Sequence, residues 1–144
     1  ATNVLEAGLL SLLFENANYA NVGDATGLRG SSTAGVLYIS LHTANPNETG
    51  SQTTREAAYG SYARVSVARS TAGWSVASSI ADNDAAITFP AADGGSETET
   101  HVGIGSDSSG AGNLFLWGAL TASLAVSAGI TPSFAIGALD ISID

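Results

Sequence analysis

Apolar residues along this chain change their period once. From Val4 to Phe14 they recur at helical spacing, with Val4, Leu5, Leu9, Leu12 and Leu13 giving one broad apolar face. Asn3 stands where a helix N-cap belongs, and Glu6 follows three residues later as in a capping box. Asn16-Ala17-Asn18 and Gly23 supply stop and turn chemistry, and residues 16–35 read as a pliant linker of small residues, extended or ordered only on contact. From Val36 the period becomes 2. Val36–His42 reads as a buried strand, and Tyr62–Val67 alternates, with Ala63, Val65 and Val67 on one face and Arg64 and Ser66 on the other. Further strands are predicted at Trp74–Val76, Ala85–Phe89, His101–Gly105, Asn113–Leu120, Leu124–Val126, Thr131–Phe134 and Leu139–Ile143. Pro90 closes the second of these because it has no N–H for a ladder.

Short strands separated by Gly, Ser, Asp and Pro turns predict a mainly β fold. The expected architecture is an antiparallel β-sandwich of jelly-roll type with a short N-terminal α-helix and extended linker. It divides into a helical arm and linker over 1–35 and a sandwich over 36–144. The connections Thr43–Ser61 and Ala91–Thr100 are longer than hairpin turns and are the expected places for contact with a partner.

Composition narrows the function. Charged residues make up 12% of the chain, about half the ~25% usual in soluble domains, and lysine is absent. Thirteen acids against four arginines give a net charge of -9, which disfavours nucleic acid and anionic membrane surfaces alike. The absence of cysteine excludes thiol chemistry and disulfide staples. So little charge suggests surface covered by protein partners. The apolar run at the N-terminus lacks a basic flank and is too short to span a bilayer, and Ala1 as first residue is compatible with removal of an initiator methionine. The Asn47-Glu48-Thr49 sequon has meaning only in a secreted chain.

Candidate chemistry is sparse. His42 and His101 sit at strand ends and could share a metal with Glu97 or Glu99, but two histidines without a short ligand spacing read better as packing and turn residues. Asp82-Asn83-Asp84 resembles the start of a calcium loop without its glycine and terminal glutamate, and Asp93–Glu99 reads as a solvated acidic turn. Gly105-Ser106-Asp107 lacks a nucleophile elbow, the acids are not paired across a cleft, and Gly103-x-Gly105 lies inside a strand. The chain is therefore expected to be no enzyme and to hold no cofactor or metal. Trp74, Phe89, Phe115, Trp117 and Phe134 read as core, leaving Tyr59 and Tyr62 as the loop-side candidates for a sugar-binding platform. Arg29, Arg55, Arg64 and Arg69 are each expected to face an acidic partner, within the subunit or across an interface.

Five segments taken together resemble a known family: Leu37-Tyr38-x-x-Leu41-His42-Thr43-Ala44-x-Pro46, Tyr62-Ala63-Arg64, Ile87-Thr88-Phe89-Pro90, Thr100-His101-Val102-Gly103-Ile104 and Phe134-Ala135-x-Gly137-Ala138-Leu139. They look like a family of small tailed-bacteriophage structural proteins whose members are often labelled tail fibre proteins. Size and predicted sandwich are also similar to those of phage capsid cement, or decoration, proteins. The resemblance implies a structural protein on the capsid surface of the virion, made in the host cytoplasm, with the major capsid protein and further copies of itself (a dimer or trimer) as partners. On the cement reading, Val4, Leu5, Leu9, Leu13 and Phe14 of the helix, with Arg29 and Arg55, are the expected interface residues; the helix docks on a neighbour or packs on its own domain. The alternative is a tail fibre or receptor-binding module, for which a shaft, repeats or heptads would speak, and this sequence has none.

Overall fold

One helix and nine strands form over residues 1–143, which the computed structural model describes. The helix, α1, spans Asn3–Phe14. The strands are β1 (Val36–His42), β2 (Val65–Ala68), β3 (Trp74–Ala77), β4 (Ile80–Asn83), β5 (Ile87–Thr88), β6 (Ser96–Gly105), β7 (Leu114–Ser127), β8 (Ser133–Phe134) and β9 (Asp140–Ile141). Sheet orders are β2-β1-β6-β7, β3-β4-β9 and β5-β8. The β1–β6, β6–β7, β3–β4 and β4–β9 pairings are all antiparallel, so the expected mainly β antiparallel fold with a short N-terminal helix is observed. The chain forms two compact units. One takes Ala1–Val36, Ala68–Ile87 and the segment from Phe134; the other takes Leu37–Val67 and Thr88–Ser133.

In the first unit the helix packs on its own chain. Leu10 and Phe14, four residues apart on one face, are fully buried, and the Phe14 ring meets Trp74 of β3 edge-on at 4.6 Å. The face predicted from periodicity, by contrast, stays open or half-open: Val4 is 73% exposed, Leu5 is exposed, and Leu9, Leu12 and Leu13 are half-buried. Leucines surround most of this helix, so spacing alone could not select the side that meets the sheet. Asn3 is the first helical residue rather than the cap; Thr2 holds the cap position and makes no side-chain capping bond. At the far end Arg69 donates to the carbonyls of Leu12 and Leu13, both at 2.6 Å, satisfying acceptors that a helix C-terminus leaves open.

Residues 16–35 are not a free linker. Tyr19 and Leu28 exchange two backbone hydrogen bonds (2.8 and 2.9 Å), and the Asn16 amide both accepts from and donates to the Ser31 backbone. Gly8 leaves room for the Tyr19 ring, since a Cβ there would come within 2.7 Å of it. β4 is a strand that the sequence pattern does not predict. Its hairpin with β3 turns on Ser78 and Ser79, both with positive φ (51° and 64°), a conformation that Asn-Gly usually announces. Asn83 at its end is buried: its amide donates to Ala85 and Ala135 and accepts from Leu139 N–H, all within 2.9 Å. Asp82-Asn83-Asp84 is thus a strand end that anchors a turn.

In the second unit β1 lies in the middle of its sheet and carries Leu37, Ile39 and Leu41 into the core. β6 starts at Ser96, so most of the expected acidic turn is strand and only Asp93–Gly95 turns. The two strands predicted at 113–120 and 124–126 are one, β7. Its ladder with β6 shifts where Leu120–Ser123 face Thr100 alone, a wide irregularity between the Ala119 and Leu124 pairings. The connection 43–61 is pinned. Gln52, fully buried, accepts from Asp107 N–H (2.9 Å) and donates to its carbonyl (3.3 Å), and Gly105 and Gly112 lack the Cβ that would strike it.

Candidate interaction surface

The second unit holds its loops with buried polar ties. The Arg64 guanidinium forks onto Glu56 (Nε to Oε1 2.6 Å, Nη2 to Oε2 2.7 Å) and donates to the carbonyls of Asp107 and Gly110. Its side chain is 2% exposed, and the Glu56 carboxylate stabilises its charge further. Tyr62 donates to the same carboxylate and accepts from Leu41 N–H; burial and the Glu56 charge raise its pKa far above the ordinary phenol range. Tyr59 is buried too, donating to the Pro90 carbonyl, its pKa pushed up to about 12 by burial and the nearby Glu99 and Glu97. Tyr62 meets Tyr59 edge-on and stacks on Phe89. Both tyrosines are therefore part of the framework, not a sugar platform.

The exposed aromatics lie on β7 instead. Phe115 is 45% and Trp117 37% exposed, against the expectation of core packing, while Leu114 and Leu116 on the opposite face are half-buried. Period-2 spacing gives the alternation but not which face turns inward, because both faces of LFLW are apolar. Trp117 leans on the His101 ring at 5.9 Å, and it lines a hollow of about 420 Å³ with Asn45, Asn47, Glu48 and Thr49. Asn45 fixes that loop by accepting from Asn47 N–H at 2.7 Å, and Arg55 donates to the Asn45 carbonyl at 2.8 Å. Asn47, Glu48 and Thr49 are exposed. An indole edged by amide, carboxylate and hydroxyl groups can bind a partner with an apolar face and polar rim.

The histidines are committed elsewhere. His42 and His101 are opposite each other across β1 and β6. The His42 ring nitrogens bond Ser40 Oγ (2.8 Å) and the Thr54 carbonyl (2.9 Å), and burial lowers its pKa. His101 Nδ1 bonds Thr100 Oγ1 at 2.8 Å. Glu97 accepts from Ala58 and Tyr59 N–H. Glu99 is fully buried, with no donor at either oxygen; burial first, then Glu97, push its carboxyl up to about 8.

The expected interface residues fall in both units. Phe14 is core. Leu9 and Leu13 line a groove of about 450 Å³ with Leu10, Leu12, Arg29, Arg69 and Ile143, while Val4 and Leu5 are exposed. Arg55, exposed, belongs to the loop beside Trp117. Arg64 meets its expected acidic partner within the chain, Glu56; within the chain Arg55 and Arg69 bond backbone carbonyls.

Residues 1–142 match the family model described as Podophage GP4 fiber I protein gp80. No curated protein matches the chain. With nearly its whole length matched, the chain belongs to the gp80 fibre I family.

Proposed function

We propose that this member of the fibre I family is a structural component of a bacteriophage virion, in its tail fibre apparatus, and that it works by contact rather than catalysis. The Trp117 hollow carries the reading of contact: an exposed indole beside a loop of amide, carboxylate and hydroxyl groups, on a sheet whose loops are tied down by Arg64 and Gln52. Such a rigid aromatic site loses little entropy on binding. Its chemistry suits a host-surface saccharide, whose rings offer apolar faces and hydroxyl edges.

The cement reading draws on a helix that docks on a neighbour or packs on its own domain. Leu10 and Phe14 are buried within the chain's own first unit, so the helix packs there, and its open face with Val4 and Leu5 favours neither reading. The antiparallel strands suit either role, jelly roll or otherwise, and the family description favours the fibre.

The test is Trp117→Ala in phage carrying the altered chain. Adsorption to host cells should fall while virion yield and particle heat resistance stay unchanged. Normal adsorption with heads that open at lower temperature would reject the fibre reading in favour of cement.

A further inference from the structure

Three polar side chains at the Trp117 hollow are uncommitted. Asn47, Glu48 and Thr49 are exposed and line it, and none of their side chains has a hydrogen-bond or ion-pair partner among the described residues. Their backbone is held all the same. Asn47 N–H bonds the Asn45 side chain, and the Asn47 carbonyl accepts from Gly50 N–H at 3.1 Å. Asn47 keeps a positive φ of 66°, a conformation in which asparagine is enriched. A fixed loop therefore presents an amide, a carboxylate and a hydroxyl beside a half-open indole.

Among the described residues lining the hollow, Glu48 alone is charged. The rest of the second unit has the same sign, with six acids against two arginines. Both arginines are engaged: Arg64 forks onto Glu56, and Arg55 is drawn onto the Asn45 carbonyl and does not line the hollow.

We propose, on the reading of the hollow as a saccharide site, that it selects an amino sugar, with the ammonium group held by the Trp117 ring and the Glu48 carboxylate and the hydroxyls bonded by Asn47 and Thr49. Indole is the aromatic side chain that attracts a cation best, through its ring quadrupole. The carboxylate supplies the counter-charge. An acetamido sugar keeps the apolar contact and loses both charge attractions, and an acidic sugar is repelled by Glu48. The net charge of -9 further favours the approach of a cationic ligand.

A trisaccharide of β-linked glucosamine and its fully N-acetylated counterpart are the probes, since they share a backbone and differ in amine against acetamide. Each is titrated into the full chain at neutral pH and low salt, with calorimetry as the readout. The glucosamine trisaccharide should bind about threefold to tenfold tighter, and the difference should shrink at high salt. Glu48→Gln should bring the two affinities together. Asp84→Asn, the same change of charge at an exposed bend of the first unit, should leave the preference intact. Trp117→Ala keeps the net charge and should abolish saturable binding of both probes, with an unchanged circular dichroism spectrum. Equal affinity for the two probes, lost in Trp117→Ala, would overturn the amino-sugar proposal and leave the saccharide reading standing. Glucosamine binding that persists in Trp117→Ala would overturn it as attraction to the acidic surface at large. Binding of neither probe would also overturn it, and adsorption of the Trp117→Ala phage then decides the saccharide reading separately.

Discussion

Glu99 ties stability to pH in a direction unusual for an acidic protein. Folded, its carboxyl is held up to about 8 by burial and then by Glu97; unfolded, it ionises near ~4.3. Between those values the folded chain keeps a proton that the unfolded chain has released, so stability falls as pH rises through the window and levels off above it. His42 opposes this at the acid end. Burial lowers its pKa from 6.5, so below that value the unfolded imidazole takes up a proton more readily than the folded one, and stability there rises with pH. Above pH 6.5 His42 adds at most about 0.4 kcal/mol with rising pH, small beside the Glu99 contribution. Linkage limits it to about 1.4 kcal/mol per pH unit, which gives a loss of about 1–2 kcal/mol between pH 6.5 and 8. Glu99→Gln keeps the shape and removes the titration, and its amide can donate to Glu97 as the protonated acid does. Urea unfolding of both proteins across pH 6.5 to 8 is the assay. The wild type should lose that stability progressively, and the variant should hold a flat profile and be the more stable at the alkaline end. A flat wild-type profile, or the same slope in Glu99→Gln, would refute the reasoning.

Three further outcomes follow from packing and buried polar ties. Phe14→Ala, which removes the fully buried ring against Trp74, should cost about 3–5 kcal/mol in equilibrium unfolding; a surface-like cost under about 0.5 kcal/mol would return Phe14 to the role of a docking residue. Arg64→Ala leaves Glu56 without its fork and should cost about 3 kcal/mol, and Arg64→Lys should recover little of it, because one ammonium cannot reach Glu56, Asp107 and Gly110 together. Asn83→Ala should cost about 2–3 kcal/mol and speed hydrogen exchange at Leu139, whose N–H bonds the Asn83 side-chain oxygen; unchanged exchange there would argue against the anchor.

Much of the local structure was legible. β1 has its predicted limits, and the α1 helix and most strand cores lie where the spacing put them. What spacing could not give was the choice between two apolar faces. In α1 it favoured Leu5, Leu9 and Leu12 over the buried Leu10 and Phe14, and in β7 it sent Phe115 and Trp117 inward. Hydrophobicity marks a residue as burial-competent, and the partner surface decides which residues are buried. Polar segments failed in the opposite sense. Ser96–Thr100 and Asp82-Asn83 read as turns, yet they are strands, because sheet neighbours satisfy their backbone and, for Asn83, its side chain. The Trp117 hollow was out of reach for a related reason. Asn45–Thr49 and Trp117 are far apart in sequence, and only the fold brings them together.

Position on the particle tests the central claim most directly. Purified virions can be labelled with gold-conjugated antibody against this chain and imaged. A fibre component predicts a few particles of gold at the tail of each virion and none over the head. Gold distributed across the head lattice, with a bare tail, would contradict the assignment.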